Sequence, residues 1–188
     1  QFPVSSEPTV TELFSIYCGG CYRWEKKALG TLKENLAKRK IEFKQAHMFF
    51  MGKYGKQATT ALAITQGTEL YEPVKNALFT KIHVERTGDW KNDDDFFSTL
   101  SKAGLPRKAF EQQQNGPVAL KSVLDWNRYS GNIDAVPSFL VNNRYLLKTG
   151  SIKSFDEMDQ LIAWLAKLPA EAPSNPKTSD SAPENTHL

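Results

Sequence analysis

The chain has 188 residues, a formal net charge of +3 and a hydrophobic fraction of 40%. This length accommodates one domain, or one domain with an insertion, and suffices to bury a hydrophobic core without disulfide staples. No apolar run approaches the length of a transmembrane helix, and the basic residues do not alternate with aromatic ones, which argues against a nucleic-acid-binding protein.

The first strongly apolar segment runs directly into a pair of cysteines. Residues 10–17 carry β-branched and aromatic side chains at both parities, which predicts a central strand covered on both faces. The sequence Cys18-Gly19-Gly20-Cys21 follows, and from Trp24 to Leu36 apolar residues recur every four positions, as in a helix. A cysteine at the start of a helix meets unpaired N–H groups and the positive end of the helix dipole, which favour a thiolate.

The next elements complete a β-α-β unit. Gly30 interrupts the helical pattern, and Thr31 to Glu34 form a capping box, so we expect a kink at Gly30 and a restart after it. Residues 41–51 are rich in apolar and aromatic side chains, which predicts a second strand.

The rest of the chain predicts helices first and a hairpin later. Residues 52–131 show helical periodicity punctuated by caps, which indicates about four or five short helices. Residues 138–147 form two short β-like runs joined by Asn142-Asn143, a hairpin pattern. Ser154 and Glu157 predict the start of a last helix, whereas the proline-rich segment 169–188 predicts a mobile tail.

The cysteine spacing favours redox chemistry over a structural role. A disulfide across two intervening residues closes a tiny loop and removes little chain entropy. A zinc site needs about four ligands, and only His47, His83 and His187 could add nitrogens from separate regions of the chain. A Cys-x-x-Cys motif beside a β-α-β unit instead predicts a thioredoxin-like redox pair.

Three stretches carry a resemblance to a known family. Residues 12–25 around the cysteines, Phe50-Met51-Gly52 and residues 135–142, which contain Val136-Pro137, resemble bacterial periplasmic thiol:disulfide oxidoreductases of the DsbA family. The resemblance covers residues 10–168. It implies an α/β protein with a thioredoxin fold that is divided between residues 1–51 and residues 132–168. Residues 52–131 would form an inserted all-helical domain, and residues 169–188 would form the tail. We expect no cofactor besides the Cys18–Cys21 disulfide, and the shortage of further ligands argues against a metal.

The position of each cysteine predicts its role. Cys18 comes first at the strand–helix junction and should be the exposed nucleophile that forms mixed disulfides. Cys21, one turn into the helix, should be buried and resolve them. The resemblance further implies that Val136-Pro137 is a cis peptide beside the cysteines and that Val136 binds an extended substrate through its backbone. The alternative is a trans proline that starts an edge strand, because only about one X-Pro bond in twenty is cis.

Glu12 interrupts the apolar strand and is predicted to be a buried proton carrier for Cys21. Desolvation should raise the pKa of its carboxyl, so that it exchanges a proton with Cys21 through water. The alternative is a glutamate at the strand end that reaches solvent. In the family a lysine on the next strand accompanies this glutamate. Here the matching residue is Gln45, while Lys44 lies one place away on the opposite face, and the sequence leaves open whether either serves instead.

The Gly19-Gly20 pair is the main departure from the family, which has a proline followed by a histidine that helps to hold the thiolate. Without that donor, Cys18 should be less acidic and the protein a weaker oxidant, nearer to a reductase or isomerase. His47 and His83 are interpreted as ordinary residues rather than catalysts, His47 as packing or surface and His83 as helical surface.

These observations predict a monomeric thiol:disulfide oxidoreductase of the periplasm that introduces disulfides into exported proteins. Its partners would be reduced or unfolded exported proteins and, by resemblance, a quinone-linked membrane reoxidase of the DsbB type. The numbering starts at Gln1 without a basic and apolar leader, so either a signal peptide has been removed or none exists. The alternatives are a reductase or isomerase, and a peptide-binding chaperone whose cysteines form only a static bridge.

Overall fold

A four-stranded mixed sheet places the cysteine pair. The computed structural model describes residues 5, 7–49, 51–85, 89–131 and 133–169. Within them the sheet order is β2-β1-β3-β4, with β1 (Thr9–Phe14), β2 (Glu42–His47), β3 (Ser138–Val141) and β4 (Tyr145–Lys148). The central strand β1 pairs in parallel with β2 and antiparallel with β3.

Helices fill the connections in the predicted order. Those between β1 and β2 are α1 (Gly19–Lys27) and α2 (Leu29–Lys38). Five lie between β2 and β3: α3 (Gly55–Thr65), α4 (Tyr71–His83), α5 (Asp93–Lys102), α6 (Arg107–Gln113) and α7 (Pro117–Ser130). A 3-10 turn (Thr149–Ser151) and α8 (Phe155–Ala166) follow β4. None of the described helices combines the length and apolar character needed to cross a membrane.

Both N-terminal strands are shorter than predicted. β1 ends at Phe14 rather than at residue 17, because the N–H of Cys18 bonds to the carbonyl of Ser15 at 3.1 Å and turns the chain into α1. β2 ends at His47 rather than at residue 51, since the bond from Met48 N–H to the Phe14 carbonyl, at 2.7 Å, is the last that β1 can accept. Phe50, which belongs to the predicted strand, lies outside the described residues, as do residues 170–188 of the predicted mobile tail.

The predicted break at Gly30 is displaced. The helix breaks at Ala28, whose φ is −131°, and Gly30 lies inside α2. Ala28 closes α1 through its N–H and opens α2 through its carbonyl, which accepts from Leu32 at 3.0 Å. A glycine inside a helix costs only about 1 kcal/mol, and its neighbours Leu29 and Leu32 are buried, so packing keeps the helix intact across it.

The hairpin and the start of the last helix lie where the sequence predicts them, although β4 covers Tyr145–Lys148 rather than residues 144–147. Asn142 and Asn143 both have positive φ, at 53° and 54°, and join β3 to β4. The hydroxyl of Ser154 accepts from the N–H of Glu157 at 3.1 Å and starts α8. The Asn142 side chain also accepts from Thr9 N–H at 3.0 Å and donates to the Ala166 carbonyl at 3.1 Å, which ties the hairpin to β1 and α8.

Two apolar clusters pack against the sheet. One joins Val10 of β1 to residues of α2, β3 and α8, and the other joins Leu13 and Phe14 to α3, α4 and α5. Cys21 belongs to the second cluster. The end of β1 that leads into Cys18 is therefore held by helices from distant regions of the sequence.

An ion pair connects the end of α2 to α8 and allows a test of the packing. The guanidinium of Arg39 donates to both carboxylate oxygens of Asp159, at 2.8 and 2.6 Å. Asp159→Asn should lower the free energy of unfolding at pH 7 by about 1–3 kcal/mol, since a charge-assisted bond is lost at a largely buried carboxylate. Urea denaturation measures the difference.

The pH dependence and a matched variant distinguish this pair from an ordinary surface charge. The hydrogen bonds from Arg39 hold the pKa of Asp159 below its usual value. Its contribution is therefore present above the pKa of the unfolded chain and disappears as pH falls through the lower pKa of the fold. The Asp134–Lys148 pair is exposed on both sides, so Asp134→Asn should leave the unfolding midpoint nearly unchanged. Equal effects of the two variants would contradict the assignment.

Candidate active site

Cys18 caps the first helix with its sulfur. Its backbone is extended, and its Sγ accepts from the N–H of Cys21 at 3.1 Å. Both cysteines are free; Cys18 is half-buried and Cys21 is buried. The strand-to-helix junction thus presents one sulfur toward solvent and keeps the other inside, the arrangement predicted from the sequence.

The two thiols have opposite proton affinities. A hydrogen bond from the Cys21 thiol, then the backbone N–H groups of Cys21 and Gly20 and the charge of Arg23, lower the pKa of Cys18 to about 6, although burial opposes them. Burial raises the pKa of Cys21 far above its usual value, and the hydrogen bond it gives to Cys18 adds to this. Near neutral pH the pair therefore holds one proton, on Cys21, and Cys18 is the thiolate.

Val136 and Pro137 lie against the exposed sulfur. The Val136–Pro137 peptide bond is cis, as the resemblance implies. In its thiol form Cys18 donates to the Val136 carbonyl oxygen at 3.3 Å. A Cβ atom at Gly20 would lie 3.4 Å from Pro137 Cδ and 3.5 Å from Cys18 Sγ. Any larger side chain at Gly20 would therefore meet both the sulfur and the proline.

Arg23 occupies the space that the two glycines leave open. A Cβ atom at Gly19 would lie 3.5 Å from its Nη1, and one at Gly20 would lie 4.0 Å from its Nη2. Arg23 was not among the site residues predicted from the sequence, although it follows Gly19 by four positions, the spacing at which helical residues are neighbours. Its positive charge lowers the pKa of Cys18. Arg23 therefore partly replaces the hydrogen-bond donor that the Gly19-Gly20 pair cannot supply.

Glu12 is buried, so it does not reach solvent from the strand end. Only 1% of the residue is exposed, and its carboxylate accepts from the Gln45 amide nitrogen at 2.7 Å. Burial raises its pKa to about 7, more than the hydrogen bond from Gln45 lowers it. Lys44 is exposed and pairs instead with Glu42 at 2.9 Å. Of the two residues that the sequence left open, Gln45 is the one that contacts Glu12.

A lysine does reach this region, but from α4. The ammonium of Lys75 donates to the Gln45 carbonyl oxygen at 2.9 Å. Lys75 was not predicted from the sequence either, yet a signal was available. Lys75, Leu78, Phe79 and Ile82 follow the i, i+3, i+4, i+7 spacing of a buried helical face, which places this lysine among apolar residues.

The two described histidines hold the segment just before Cys18. His47 Nε2 accepts from the N–H of Ile16 at 3.1 Å, and His83 Nε2 donates to the carbonyl of Ile16 at 2.8 Å. Burial lowers the pKa of His47 to about 3, so it stays neutral. The interpretation of His83 as a surface residue is wrong, because its ring stacks on Tyr22 with a centroid separation of 4.9 Å. Within the described residues no group of three or more His, Cys, Asp or Glu side chains could hold a metal ion.

Comparisons with known proteins agree with this site. The family described as Thioredoxin matches residues 4–163. The thiol:disulfide interchange protein DsbL of Lelliottia amnigena is 31% identical over 178 residues, which cover 86% of this chain and 80% of the relative. The thiol:disulfide interchange protein DsbA of Yersinia pestis is 26% identical and covers 85% and 77%. The crystal structure of DsbL from Salmonella enterica serovar Typhimurium has a TM-score of 0.76 and 25% identity, and it covers 88% and 94% of the two chains. The thioredoxin fold with inserted helices is confirmed, and the chain belongs to the DsbA-like family of thiol:disulfide oxidoreductases.

Proposed function

We propose that this protein introduces disulfides into exported proteins in the periplasm, with Cys18 as nucleophile and Cys21 as resolving cysteine. The observation that carries the proposal is the half-buried Cys18 sulfur at the start of α1, whose pKa is lowered to about 6. A thiolate that is stable in the reduced protein is a good leaving group, so the disulfide is readily passed on.

The transfer takes two exchange steps at Cys18. A substrate thiolate attacks Cys18 Sγ; a substrate–Cys18 bond forms, the Cys18–Cys21 bond breaks, and Cys21 leaves with the electron pair. A second substrate thiolate then attacks the substrate sulfur of this mixed disulfide and releases Cys18 as a thiolate. The substrate loses two electrons and gains a disulfide, and the enzyme gains two electrons as its dithiol.

Glu12 is proposed to supply the proton that Cys21 takes up. The raised pKa of Cys21 means that its thiolate does not persist after the first step. The Glu12 carboxyl, whose pKa is about 7, can carry a proton near neutral pH and deliver it through water. Its negative charge also raises the pKa of Cys21, so the two groups are electrostatically coupled.

Val136 and Pro137 are proposed to bind the substrate chain. The Val136 carbonyl faces Cys18 Sγ at 3.3 Å. In the disulfide that receives the substrate thiolate, Cys18 carries no proton and does not donate to this carbonyl, so the oxygen can accept an N–H group from an extended peptide. A substrate cysteine would then be held beside the nucleophile by backbone contacts, which depend little on the amino-acid sequence of the substrate.

The Cys18–Cys21 pair serves as the redox group without a further cofactor, and a quinone-linked membrane partner of the DsbB type reoxidises it. The protein acts as a monomer, in which residues 52–131 are an inserted domain between the two segments of the thioredoxin fold, residues 1–51 and residues 132–168.

A reductase or isomerase is the second candidate, and the Gly19-Gly20 pair favours it. Equilibration with a series of glutathione ratios, followed by alkylation of free thiols, measures how oxidising the pair is. The proposed direction predicts that the oxidised protein refolds a reduced substrate faster than the reduced protein reduces insulin. The reverse order would support the second candidate. A chaperone with a static bridge would keep its full activity when both cysteines are replaced by serine.

A further inference from the structure

Lys75 stands out because it is a fully buried charge in the middle of an apolar helix face. Among the described residues it is the only buried lysine or arginine, with 0% exposure. Its ammonium makes three polar contacts, to Gln45 at 2.9 Å, to Glu25 at 3.0 Å and to Glu72 at 2.9 Å. It also lies 5.2 Å from the centre of the Tyr71 ring. A buried charge persists only where such partners compensate its lost hydration.

Gln45 connects this charge to Glu12 with a fixed polarity. An ammonium group only donates, so the amide oxygen of Gln45 must face Lys75. The amide nitrogen consequently faces Glu12 and donates to its carboxylate at 2.7 Å. Gln45 and Glu12 are also direct partners in the β1–β2 register. In this orientation the amide dipole of Gln45 points its positive end at the Glu12 carboxylate. The amide therefore adds to the positive potential that Lys75 exerts there.

The surroundings of Glu12 show why this contact matters. Two carboxylates accompany Lys75, and that of Glu25 raises the pKa of Glu12, whereas the charges of Lys75 and Lys33 lower it. Lys33 is half-exposed and already paired with Glu72 at 3.0 Å. Lys75 is thus the cation that solvent screens least. The titratable groups around Glu12 come from three helices: Cys21 and Glu25 of α1, Lys33 of α2, and Tyr71, Glu72 and Lys75 of α4.

We propose that Lys75 is a positioning residue for Glu12: acting through Gln45, it lets helix α4 set the protonation equilibrium of the carboxyl that serves Cys21. The inference rests on the proposed role of Glu12 as proton carrier. A buried carboxylate without a nearby cation stays neutral well above pH 7, so it holds its proton too tightly to give it to Cys21 in each cycle. The ammonium of Lys75 keeps both protonation states of Glu12 accessible near neutral pH.

Lys75→Met tests the coupling, because methionine is also unbranched and apolar but has no charge. Titration of the Glu12 carboxyl carbon by NMR, with the resonance assigned from its absence in Glu12→Gln, reports the protonation state directly. We expect the Glu12 midpoint to rise by about one pH unit or more in Lys75→Met, since a close cation is lost. An unchanged midpoint in the folded variant would overturn the proposal.

Lys81→Met is the matched control. Lys81 lies on the same helix and is largely buried, but its ammonium pairs with Glu85 and Asp95 at 3.2 and 3.4 Å. Its replacement should cost comparable packing and leave the Glu12 titration unchanged. An equal rise in both variants would indicate a general loosening of α4 and would also count against the proposal.

Lys75→Gln keeps the test decisive if Lys75→Met does not fold. Its amide can still donate a hydrogen bond to the partners of Lys75, but it carries no charge, and the hydrogen bond from Gln45 to Glu12 is left in place. The Glu12 midpoint should again rise, and an unchanged midpoint would contradict the inference. The NMR titration needs no exchange activity, so the two hypotheses fail separately. If the Glu12 midpoint moves but the pH profile of disulfide exchange does not, the coupling stands and the role of Glu12 as proton carrier fails.

Discussion

Cys18→Ser is expected to abolish thiol–disulfide exchange in both directions, by at least about a thousandfold, because a hydroxyl cannot replace the thiolate nucleophile. Cys18 is the sulfur with access to solvent and with the lowered pKa. Insulin reduction and refolding of a reduced substrate measure the two directions. Full activity of the variant in either assay would overturn the assignment of the nucleophile.

Cys21→Ser should behave differently and serves as the comparison. It retains the Cys18 nucleophile but lacks the buried thiol that releases a bound substrate. When Cys18 attacks a substrate disulfide, the mixed disulfide between Cys18 and the substrate should therefore accumulate. It would be visible as a covalent adduct on non-reducing gels and by mass spectrometry. The Cys18→Ser variant should form no such adduct. If Cys18→Ser formed the adduct and Cys21→Ser did not, Cys21 would be the nucleophile and Cys18 the resolving cysteine.

The sequence predicted the elements that depend on local pattern. The apolar strand before Cys18, the hairpin at Asn142-Asn143 and the serine cap at Ser154 each depend on residues close together in the chain. The two cysteines and Val136-Pro137 could be placed together because the resemblance supplied the long-range contact. The strand ends and the break at Ala28 could not, since they depend on where hydrogen-bond partners in β1 and in the helices run out.

The buried polar residues around the site were harder to predict. A glutamine at the position of the expected lysine suggested that the partner of Glu12 was lost. The charge comes instead from Lys75 on a helix thirty residues further along the chain than Gln45. Helical periodicity could have assigned Lys75 to a buried face, but it could not show which carboxylates and amides would contact it there. Contacts of this kind depend on how α4 packs against the sheet, which one sequence does not specify.

The rate of alkylation of Cys18 should reach half its maximum near pH 6. With a pKa of about 6, the thiolate fraction rises about tenfold between pH 5 and pH 7 and then levels off, whereas an ordinary cysteine, with a pKa of about 8.5, gains about a hundredfold over the same interval. Iodoacetamide labelling followed by mass spectrometry separates Cys18 from Cys21, which should remain unlabelled. A midpoint for Cys18 near pH 8.5 would contradict the acidic thiolate and favour the weaker oxidant.

Arg23→Gln tests how much of this acidity comes from the guanidinium over Gly19 and Gly20. The midpoint of Cys18 alkylation should rise by about half a pH unit in this variant. The shift is modest because the Arg23 side chain is exposed and its charge is screened by solvent. High salt should shrink the difference between variant and parent. Lys27→Gln makes the same change of charge one turn further along α1 and should have a much smaller effect. A less stable thiolate is a poorer leaving group, so Arg23→Gln should also be a weaker oxidant than the parent protein. Equal redox potentials of the two proteins would mean that the backbone N–H groups and the Cys21 thiol stabilise the Cys18 thiolate without Arg23.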